Sequence, residues 1–266
     1  MFLDRVQKTP AAEAYRYPEG SGWRSLSWKE VAERVRAVAC GLRAFGLTNE
    51  QRCAILSGTR IEWILADLGI VLAGGATTTV YPSTPSADCA YILKDSAAVF
   101  VFAENAEQVH KLVLERAALA SVTKVIVFDG PAEPKDWVMT FAQLQEQGRA
   151  YDAVQPERYE TIARAIRPEA LATLIYTSGT TGKPKGVELT HDCWVYEGEA
   201  VASMGQLLPG DLQYLWLPLA HSFGKVLEAV QIALGFPTAV DGRLDKLVEN
   251  LAVVRPTVVC GVPRIF

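Results

Sequence analysis

The strongest constraint on the fold is a regular alternation of short apolar runs and helical patterns between residues 52 and 128. Runs rich in β-branched and other apolar residues predict strands at residues 53–56, 77–81, 99–102 and 125–128. Helical patterns separate these strands, at residues 61–73, 86–94 and 107–118. This strand–helix–strand rhythm is typical of right-handed βαβ units around a parallel sheet. The sequence therefore predicts an α/β fold.

Further elements are predicted on both sides of this region. Aromatic residues and turn formers in residues 1–26 predict a strand pair, and Ser27 with Glu30 forms a capping-box pattern before a helix that stops near Gly46. Residues 129–168 are predicted to form either an excursion before the central strand or a subdomain junction, with two short helices near 141–147 and 157–164. Beyond it we expect strands at 171–176, 213–217 and 257–260, the last one buried, and helices at 192–204, 225–234 and 245–254.

The stretch at residues 176–187 has a composition suited to binding an anion. It combines four serine and threonine side chains, three glycines and two lysines, directly after a predicted strand. Glycines let the backbone approach a ligand closely, and the exposed N–H groups can then donate to its oxygens. The spacing excludes a P-loop, because Gly179 and Gly182 are only three residues apart and Lys183 is followed by Pro184. A polar surface turn is the alternative interpretation of such a cluster.

Pro184 predicts that this stretch stays extended instead of running straight into a helix. A proline disfavours the helical region for the residue before it, here Lys183. Residues two apart in an extended segment point to the same face. We therefore expect Lys183 and Lys185 to present both ammonium groups to one polyanion.

Residues 176–187 resemble, at every characteristic position, the phosphate-loop signature of the adenylate-forming superfamily, which includes acyl-CoA synthetases, luciferases and the adenylation domains of peptide synthetases. Thr190 with His191, and residues 217–223, resemble further landmarks of the long-chain acyl-CoA synthetase branch. The resemblance implies the stacked, largely parallel sheets of the N-terminal region of that fold, without its mobile C-terminal domain. Residues 1–266 would then be the N-terminal part of an AMP-binding domain, truncated at its C end, with a subdomain change between 190 and 210.

The resemblance also implies a reaction. A long-chain fatty acid would be activated with ATP to an acyl-adenylate, and then transferred to CoA. The residues matched to the binding of the ATP phosphates are Thr177, Ser178, Gly179, Thr180, Thr181, Gly182, Lys183 and Lys185. The Thr180 hydroxyl matches the family's Mg²⁺ contact.

His221 is the candidate catalytic residue outside the loop. Its setting in residues 217–223 resembles the family position beside the acyl-adenylate. A core histidine is the alternative, and Phe223 either borders an acyl tunnel or belongs to the core. Among the other histidines, His110 is expected on the surface, and His191 is expected to cap or pair near the loop.

The chain also departs from the family pattern. Gly224 and Lys225 stand where many long-chain synthetases have an acidic and a basic residue, which leaves the acyl chain length open. The family's magnesium-binding glutamate, ribose-binding aspartate, hinge and catalytic lysine match no residue of this sequence. We therefore expect the activity from a longer parent enzyme and none from these 266 residues alone.

The composition limits the binding partners and the cellular compartment that the sequence is compatible with. A net charge of −4, from 26 basic and 30 acidic residues, argues against a nucleic-acid partner held by phosphate contacts. Five scattered cysteines fit a reducing cytoplasm. The most apolar stretch, residues 61–76, is too short and too interrupted to span a bilayer. Peripheral membrane contact and a homodimer remain open.

Two alternative functions are compatible with the same residues. An adenylating enzyme for an aryl or amino acid would share the loop and differ in its acyl pocket. A short, non-catalytic module that binds a nucleotide or an acyl group would share the loop without the reaction.

Overall fold

The computed structural model describes residues 1–177 and 182–262. They divide into two compact units. The five-stranded unit contains Met1–Glu33, Thr59–Ile61 and Asp192–Phe266, and the seven-stranded unit contains Arg34–Gly58 and Glu62–His191. Each unit has a mixed, largely parallel sheet, so the predicted α/β class is confirmed.

The described residues form strands and helices that follow one another along most of the chain. The strands are β1 (Glu13–Glu19), β2 (Gly22–Ser27), β3 (Arg52–Leu56), β4 (Ala76–Val80), β5 (Phe100–Asn105), β6 (Lys124–Asp129), β7 (Val138–Thr140), β8 (Leu171–Thr177), β9 (Lys185–Thr190), β10 (Gln213–Leu215), β11 (Thr238–Val240) and β12 (Val258–Val259). The helices are α1 (Phe2–Lys8), α2 (Trp28–Ala44), α3 (Ile61–Leu72), α4 (Ser86–Asp95), α5 (Ala106–Leu114), α6 (Phe141–Val154), α7 (Pro156–Arg164), α8 (His191–Ser203), α9 (Ser222–Leu234) and α10 (Leu247–Val254). Short 3₁₀ turns lie at Arg116–Ala118 and Leu244–Lys246.

The seven-stranded sheet has the order β7-β6-β5-β3-β4-β8-β9. All neighbouring strands are parallel except β8 and β9, which form an antiparallel hairpin at the edge. β4 is buried along its whole length, as expected of a parallel strand covered on both faces. The hairpin at the edge therefore carries the candidate loop on a sheet whose centre is fully packed.

Two glycines allow α2 and α6 to cross closely in this unit. A Cβ atom added at Gly148 would lie 1.8 Å from the Ala37 carbonyl oxygen and 2.7 Å from the backbone nitrogen of Gly41. Only residues without a side chain permit such an approach. This crossing fixes α6, which continues to Val154, well beyond the short helix predicted from the sequence.

The five-stranded sheet has the order β12-β10-β11-β1-β2. β1 and β2 form an antiparallel hairpin, while β1 pairs in parallel with β11, so that Tyr15 faces Thr238. The Tyr15 hydroxyl donates to the Gln231 side chain at 2.9 Å inside the core. The N-terminal strand pair predicted from the sequence is thus confirmed, and its partner comes from the far end of the chain.

Most predicted elements are confirmed, and the exceptions are short or exposed. The Ser27–Glu30 capping box is present, with the Ser27 backbone N–H donating to the Glu30 carboxylate at 2.7 Å. No element was predicted at the positions of α1, β7 or β11, and the extended backbone expected around Pro184 was not recognised as a paired strand, β9. The strand predicted at residues 257–260 is present as β12, but the prediction that it is buried is wrong. β12 has two residues, lies at the edge of its sheet and leaves Val259 40% exposed.

The described residues contain no helix that is both long and apolar enough to cross a membrane.

Candidate functional site

The candidate loop joins the two strands of the β8–β9 hairpin. At the end of the strand ladder next to the loop, Thr177 pairs with Lys185 and Tyr176 pairs with Gly186. Ser178, Gly179, Thr180 and Thr181 lie outside the described residues, so their predicted roles stay predictions. The residues that border them, Thr177 and Gly182, are both exposed.

Gly182 has a backbone conformation that favours glycine. Its φ is +91°, and a Cβ atom there would meet no heavy atom within 4 Å. Backbone preference, and not lack of space, therefore explains the glycine at this position. The open space around it leaves the backbone accessible to a ligand.

The extended segment predicted around Pro184 is present, but the two lysines leave it on different faces. Gly186 faces the Tyr176 ring, because a Cβ added there would lie 3.1 Å from it. Side chains alternate along a strand, so Lys185 points to the opposite face. The Lys183 ammonium instead lies 5.3 Å from the centre of the Tyr91 ring on α4. The strand alternation thus does not place the two lysines on one face, but both side chains are long and exposed, so their contact with one polyanion stays a prediction.

Tyr176 holds the loop end of the hairpin in place. Its ring lies against Gly186, and its hydroxyl donates to Asp95 Oδ2 at 2.7 Å. Burial and the bond to the Asp95 carboxylate both raise the pKa of Tyr176. The hydroxyl is therefore a protonated donor at neutral pH. Sequence reasoning missed Tyr91 and Asp95, although their spacing of four residues on a helix places them on one face.

The chemistry of the described loop residues fits a polyanion. Two exposed ammonium groups flank a backbone that glycine leaves open, and ammonium groups and N–H donors are the usual partners of phosphate oxygens. Within residues 1–177 and 182–262 there is no cluster of three or more histidine, cysteine, aspartate or glutamate side chains that could hold a metal ion. The predicted metal ligand, Thr180, lies outside these residues.

His221 belongs to the five-stranded unit and caps α9. Its Nδ1 accepts a hydrogen bond from the Phe223 backbone N–H at 3.2 Å. In the neutral imidazole the proton is therefore on Nε2, which remains a donor. The side chain is exposed, so the core alternative for His221 is wrong. Phe223 is also 37% exposed and is not a core residue.

The segment between β10 and His221 is held in place by Thr59. The Thr59 hydroxyl donates to the Leu217 carbonyl at 2.7 Å and accepts from the Leu219 N–H at 3.1 Å. Gly224 packs so closely that an added Cβ would lie 2.3 Å from the Pro218 carbonyl oxygen. His221 thus follows the carboxyl end of a parallel strand, where open α/β sheets bind their ligands.

Lys225 and Glu228 form a buried ion pair in the first turns of α9. Their charged atoms are 2.8 Å apart, and the side chains are 8% and 1% exposed. The Lys225 ammonium also lies 5.6 Å from the Trp194 ring of α8. Sequence reasoning noted Lys225 only as a departure from the family pattern, because spacing does not reveal a buried charge pair.

The two other histidines lie away from the loop. His110 is exposed, as predicted. His191 begins α8, and its backbone N–H donates to Ala170 beside the start of β8. It therefore lies at the opposite end of the hairpin from the loop, about 20 Å away along a six-residue strand. The expectation that His191 acts near the loop is wrong.

The two sheets and their connections match a known fold. The chain superimposes with a TM-score of 0.82 on an anthranilate CoA ligase, AuaEII, solved in complex with anthranoyl-AMP. The match covers 97% of this chain and 48% of that one, at 19% sequence identity, and therefore concerns the fold alone. The fold is that of the N-terminal region of acyl-CoA ligases.

The chain belongs to the family of AMP-binding enzymes, whose sequence model matches residues 2–266. It is 31% identical over 268 residues to the long-chain-fatty-acid–CoA ligase FadD15 of Mycobacterium bovis, covering all of this chain and 43% of the relative. It is 28% identical over 276 residues to the long-chain-fatty-acid–CoA ligase ACSBG2 of Xenopus laevis, covering 37% of that relative. The chain thus spans less than half of the length of these curated relatives.

Proposed function

We propose that the whole protein activates a long-chain fatty acid with ATP and transfers the acyl group to CoA. The observation that carries the proposal is the loop after β8, with exposed Lys183 and Lys185 beside it, in a chain of the AMP-binding family. The fatty acid is inferred from relatives near 30% identity that are long-chain-fatty-acid–CoA ligases.

The first step must overcome repulsion between two anions. A carboxylate and a triphosphate brought to 4 Å repel by about 4 kcal/mol per charge pair at an effective dielectric constant of about 20. In our proposal the ammonium groups of Lys183 and Lys185 and the loop N–H groups offset this repulsion. A carboxylate oxygen attacks the α-phosphorus, the bond from that phosphorus to the bridging oxygen breaks, and pyrophosphate leaves.

Magnesium, which the family resemblance implies, would add positive charge at the phosphates when bound. Its proposed ligand in this chain is the Thr180 hydroxyl.

The second step uses the acyl-adenylate. The CoA sulfur attacks the acyl carbon, the bond to the phosphate oxygen of AMP breaks, and the thiol loses its proton. We assign His221 to this acyl region, where its Nε2–H can donate to an oxygen of the acyl group or the phosphate. The capping bond to Phe223 holds the ring in the orientation that makes this donor available.

The test is acyl-CoA formation by the full-length protein with a panel of acids. Long-chain fatty acids should be converted with a higher kcat/KM than aryl acids, short-chain acids or amino acids. A preference for an aryl or amino acid would replace the fatty acid in the proposal while retaining adenylation. ATP binding without conversion of any acid would overturn the proposal in favour of a binding module.

A further inference from the structure

The two ends of the candidate loop are held by one helix. Tyr176 comes two residues before Ser178, and Lys183 comes two residues after Thr181. Tyr176 donates to Asp95, and Lys183 lies over the ring of Tyr91. Asp95 and Tyr91 are four residues apart on α4, so they occupy the same face of the helix.

Asp95 stands at an unfavourable position for a carboxylate. It is the last residue of α4, where the unpaired carbonyls give the helix end a partial negative charge. Helix stability alone would favour a neutral or basic residue here, as at the preceding Lys94. The bond from the Tyr176 hydroxyl, 2.7 Å long, gives this carboxylate a partner on the hairpin. The position of Asp95 is thus explained by the hairpin and not by the helix.

Tyr91 gives the Lys183 ammonium a defined place while leaving it exposed. The face of an aromatic ring attracts a cation within about 6 Å of its centre. Tyr91 and Tyr176 both pack against the same buried cluster, which includes Leu93 of α4 and Ala54 of β3. The ring is therefore a fixed support, whereas a free lysine side chain would sample many rotamers.

We propose that Tyr91 and Asp95 are positioning residues for ATP binding, because they hold Lys183 and Tyr176, the described residues on either side of the phosphate-binding loop. Asp95 fixes the strand that enters the loop, and Tyr91 orients the lysine that leaves it. This inference rests on the proposed function, because it takes the loop ligand to be the ATP triphosphate. Neither residue needs to touch ATP.

The first test compares Tyr91→Leu with Tyr91→Phe in the full-length protein. Leucine removes the aromatic face, so the KM for ATP should rise about two- to fivefold, as expected for loss of an exposed cation–π contact. The KM for the fatty acid should not change. Phenylalanine keeps the face and should restore the KM for ATP. Equal KM values for ATP in both variants, or tighter ATP binding by Tyr91→Leu, would overturn the role of Tyr91.

The second test separates loop positioning from helix stability. Asp95→Ala removes an unfavourable charge from the end of α4 and also the hydrogen bond to Tyr176, and because these effects on stability have opposite signs, thermal stability should change little. The KM for ATP should rise about tenfold with the loss of the charge-assisted bond. Asp95→Asn keeps an acceptor for Tyr176 and should recover most of the affinity. An unchanged KM for ATP in Asp95→Ala would overturn the role of Asp95.

Asp88→Ala is the matched control on the same helix. Asp88 lies in the first turn of α4, where a carboxylate is favourable, and it is exposed. This variant should lower thermal stability without changing the KM for ATP. If Asp88→Ala raised the KM for ATP as much as Asp95→Ala, the effect would belong to helix stability and the proposal would fail.

Direct ATP titration by calorimetry distinguishes failure of this inference from failure of the proposed function. If the full-length protein binds ATP but activates no acid, the proposed function fails, and the dissociation constants of the variants still test the positioning roles. If acyl-CoA forms normally and the variants bind ATP as tightly as the wild type, only the positioning roles fail. Absence of ATP binding would overturn both.

Discussion

At the scale of single residues, Lys183 and Lys185 carry the charge that the proposed loop needs. Replacing either by methionine removes a charged contact to phosphate that is typically worth about 1.5–3 kcal/mol. We therefore expect kcat/KM for ATP to fall at least tenfold in Lys183→Met and in Lys185→Met, measured with saturating fatty acid.

Lys135→Met is the control for charge alone, because Lys135 is an exposed lysine far along the chain from the loop. It should keep the wild-type kcat/KM. Wild-type values in both loop variants would show that the lysines do not contact the triphosphate.

His221 has a structural and a proposed chemical role that two substitutions can separate. Asparagine is a strong N-cap residue, so His221→Asn should keep the stability of α9 while removing the imidazole. His221→Ala should lose both, at a cost of about 1 kcal/mol in stability. We expect acyl-CoA formation to fall in both variants, with stability reduced only in the alanine variant. Wild-type activity in His221→Asn would reduce His221 to a capping residue.

The sequence could predict features of the candidate site that depend only on neighbouring residues. Pro184 predicted the extended backbone that follows the loop, and this is confirmed, whereas the anion-binding role of residues 176–187 stays a prediction. The capping bond of His221, the aromatic support of Lys183 and the burial of Lys225 could not be predicted in the same way. Each depends on the direction of a side chain or on a partner that only the folded chain brings near.

At the scale of elements, the close crossing of α2 and α6 should tolerate no added side chain at Gly148. An alanine in a helix normally stabilises it by about 1 kcal/mol relative to glycine. Here the added Cβ would overlap the Ala37 carbonyl, so Gly148→Ala should instead destabilise the fold by about 1–3 kcal/mol or more. Urea unfolding monitored by circular dichroism measures whether the free energy of unfolding falls or rises in this variant.

Gly210→Ala serves as the comparison, because no atom lies within 4 Å of the added Cβ and the backbone φ there is not positive. Its unfolding midpoint should stay near that of the wild type. A midpoint for Gly148→Ala at or above the wild-type value would contradict the close crossing.

Acid stability should depend on the polar cluster after β11. Burial raises the pKa of Asp241, but hydrogen bonds from Arg243 and Asn250 outweigh burial and hold that pKa below its ordinary value. A carboxyl with a lowered pKa stabilises the fold above its unfolded-state pKa, near 4, and this contribution disappears as the pH falls through the folded-state value. Arg243→Gln should therefore move acid unfolding to higher pH.

The measurement is circular dichroism during an acid titration, with Arg24→Gln as the control. Arg24 pairs with Glu19 on the surface, where both side chains are about half exposed, and such pairs contribute little. The control should unfold at the wild-type pH. An unchanged acid midpoint in Arg243→Gln would show that Arg243 does not hold the pKa of Asp241 low enough to affect stability.

Strands and helices could be predicted where the hydrophobic pattern of their own residues determines them. β3 to β6 and the helices between them follow from buried apolar runs, because parallel strands are covered on both faces. Most residues of β9 are exposed and few are apolar, so the strand is held by pairing with β8 and its own pattern does not predict it. β11 is a three-residue strand whose partners, β1 and β10, include one from the opposite end of the chain.

At the scale of the whole molecule, the chain combines two largely parallel sheets, each in its own compact unit. The alternation of elements predicted parallel sheets, but it could not predict that the first strand, β1, pairs with β11, which lies more than 200 residues later in the chain. Residues 1–33 and those from Asp192 onward share a unit because β1 pairs with β11, a contact that no local pattern encodes.

If the loop after β8 serves the adenylation of a fatty acid, the full-length protein should catalyse ATP–pyrophosphate exchange, which isolates this step from transfer to CoA. In the full-length protein, labelled pyrophosphate should enter ATP only when a long-chain fatty acid is present, and without any need for CoA. Lys183→Met should reduce this exchange at least tenfold, whereas Lys135→Met should not. Exchange that is absent with every acid, or unaffected by Lys183→Met, would contradict the account.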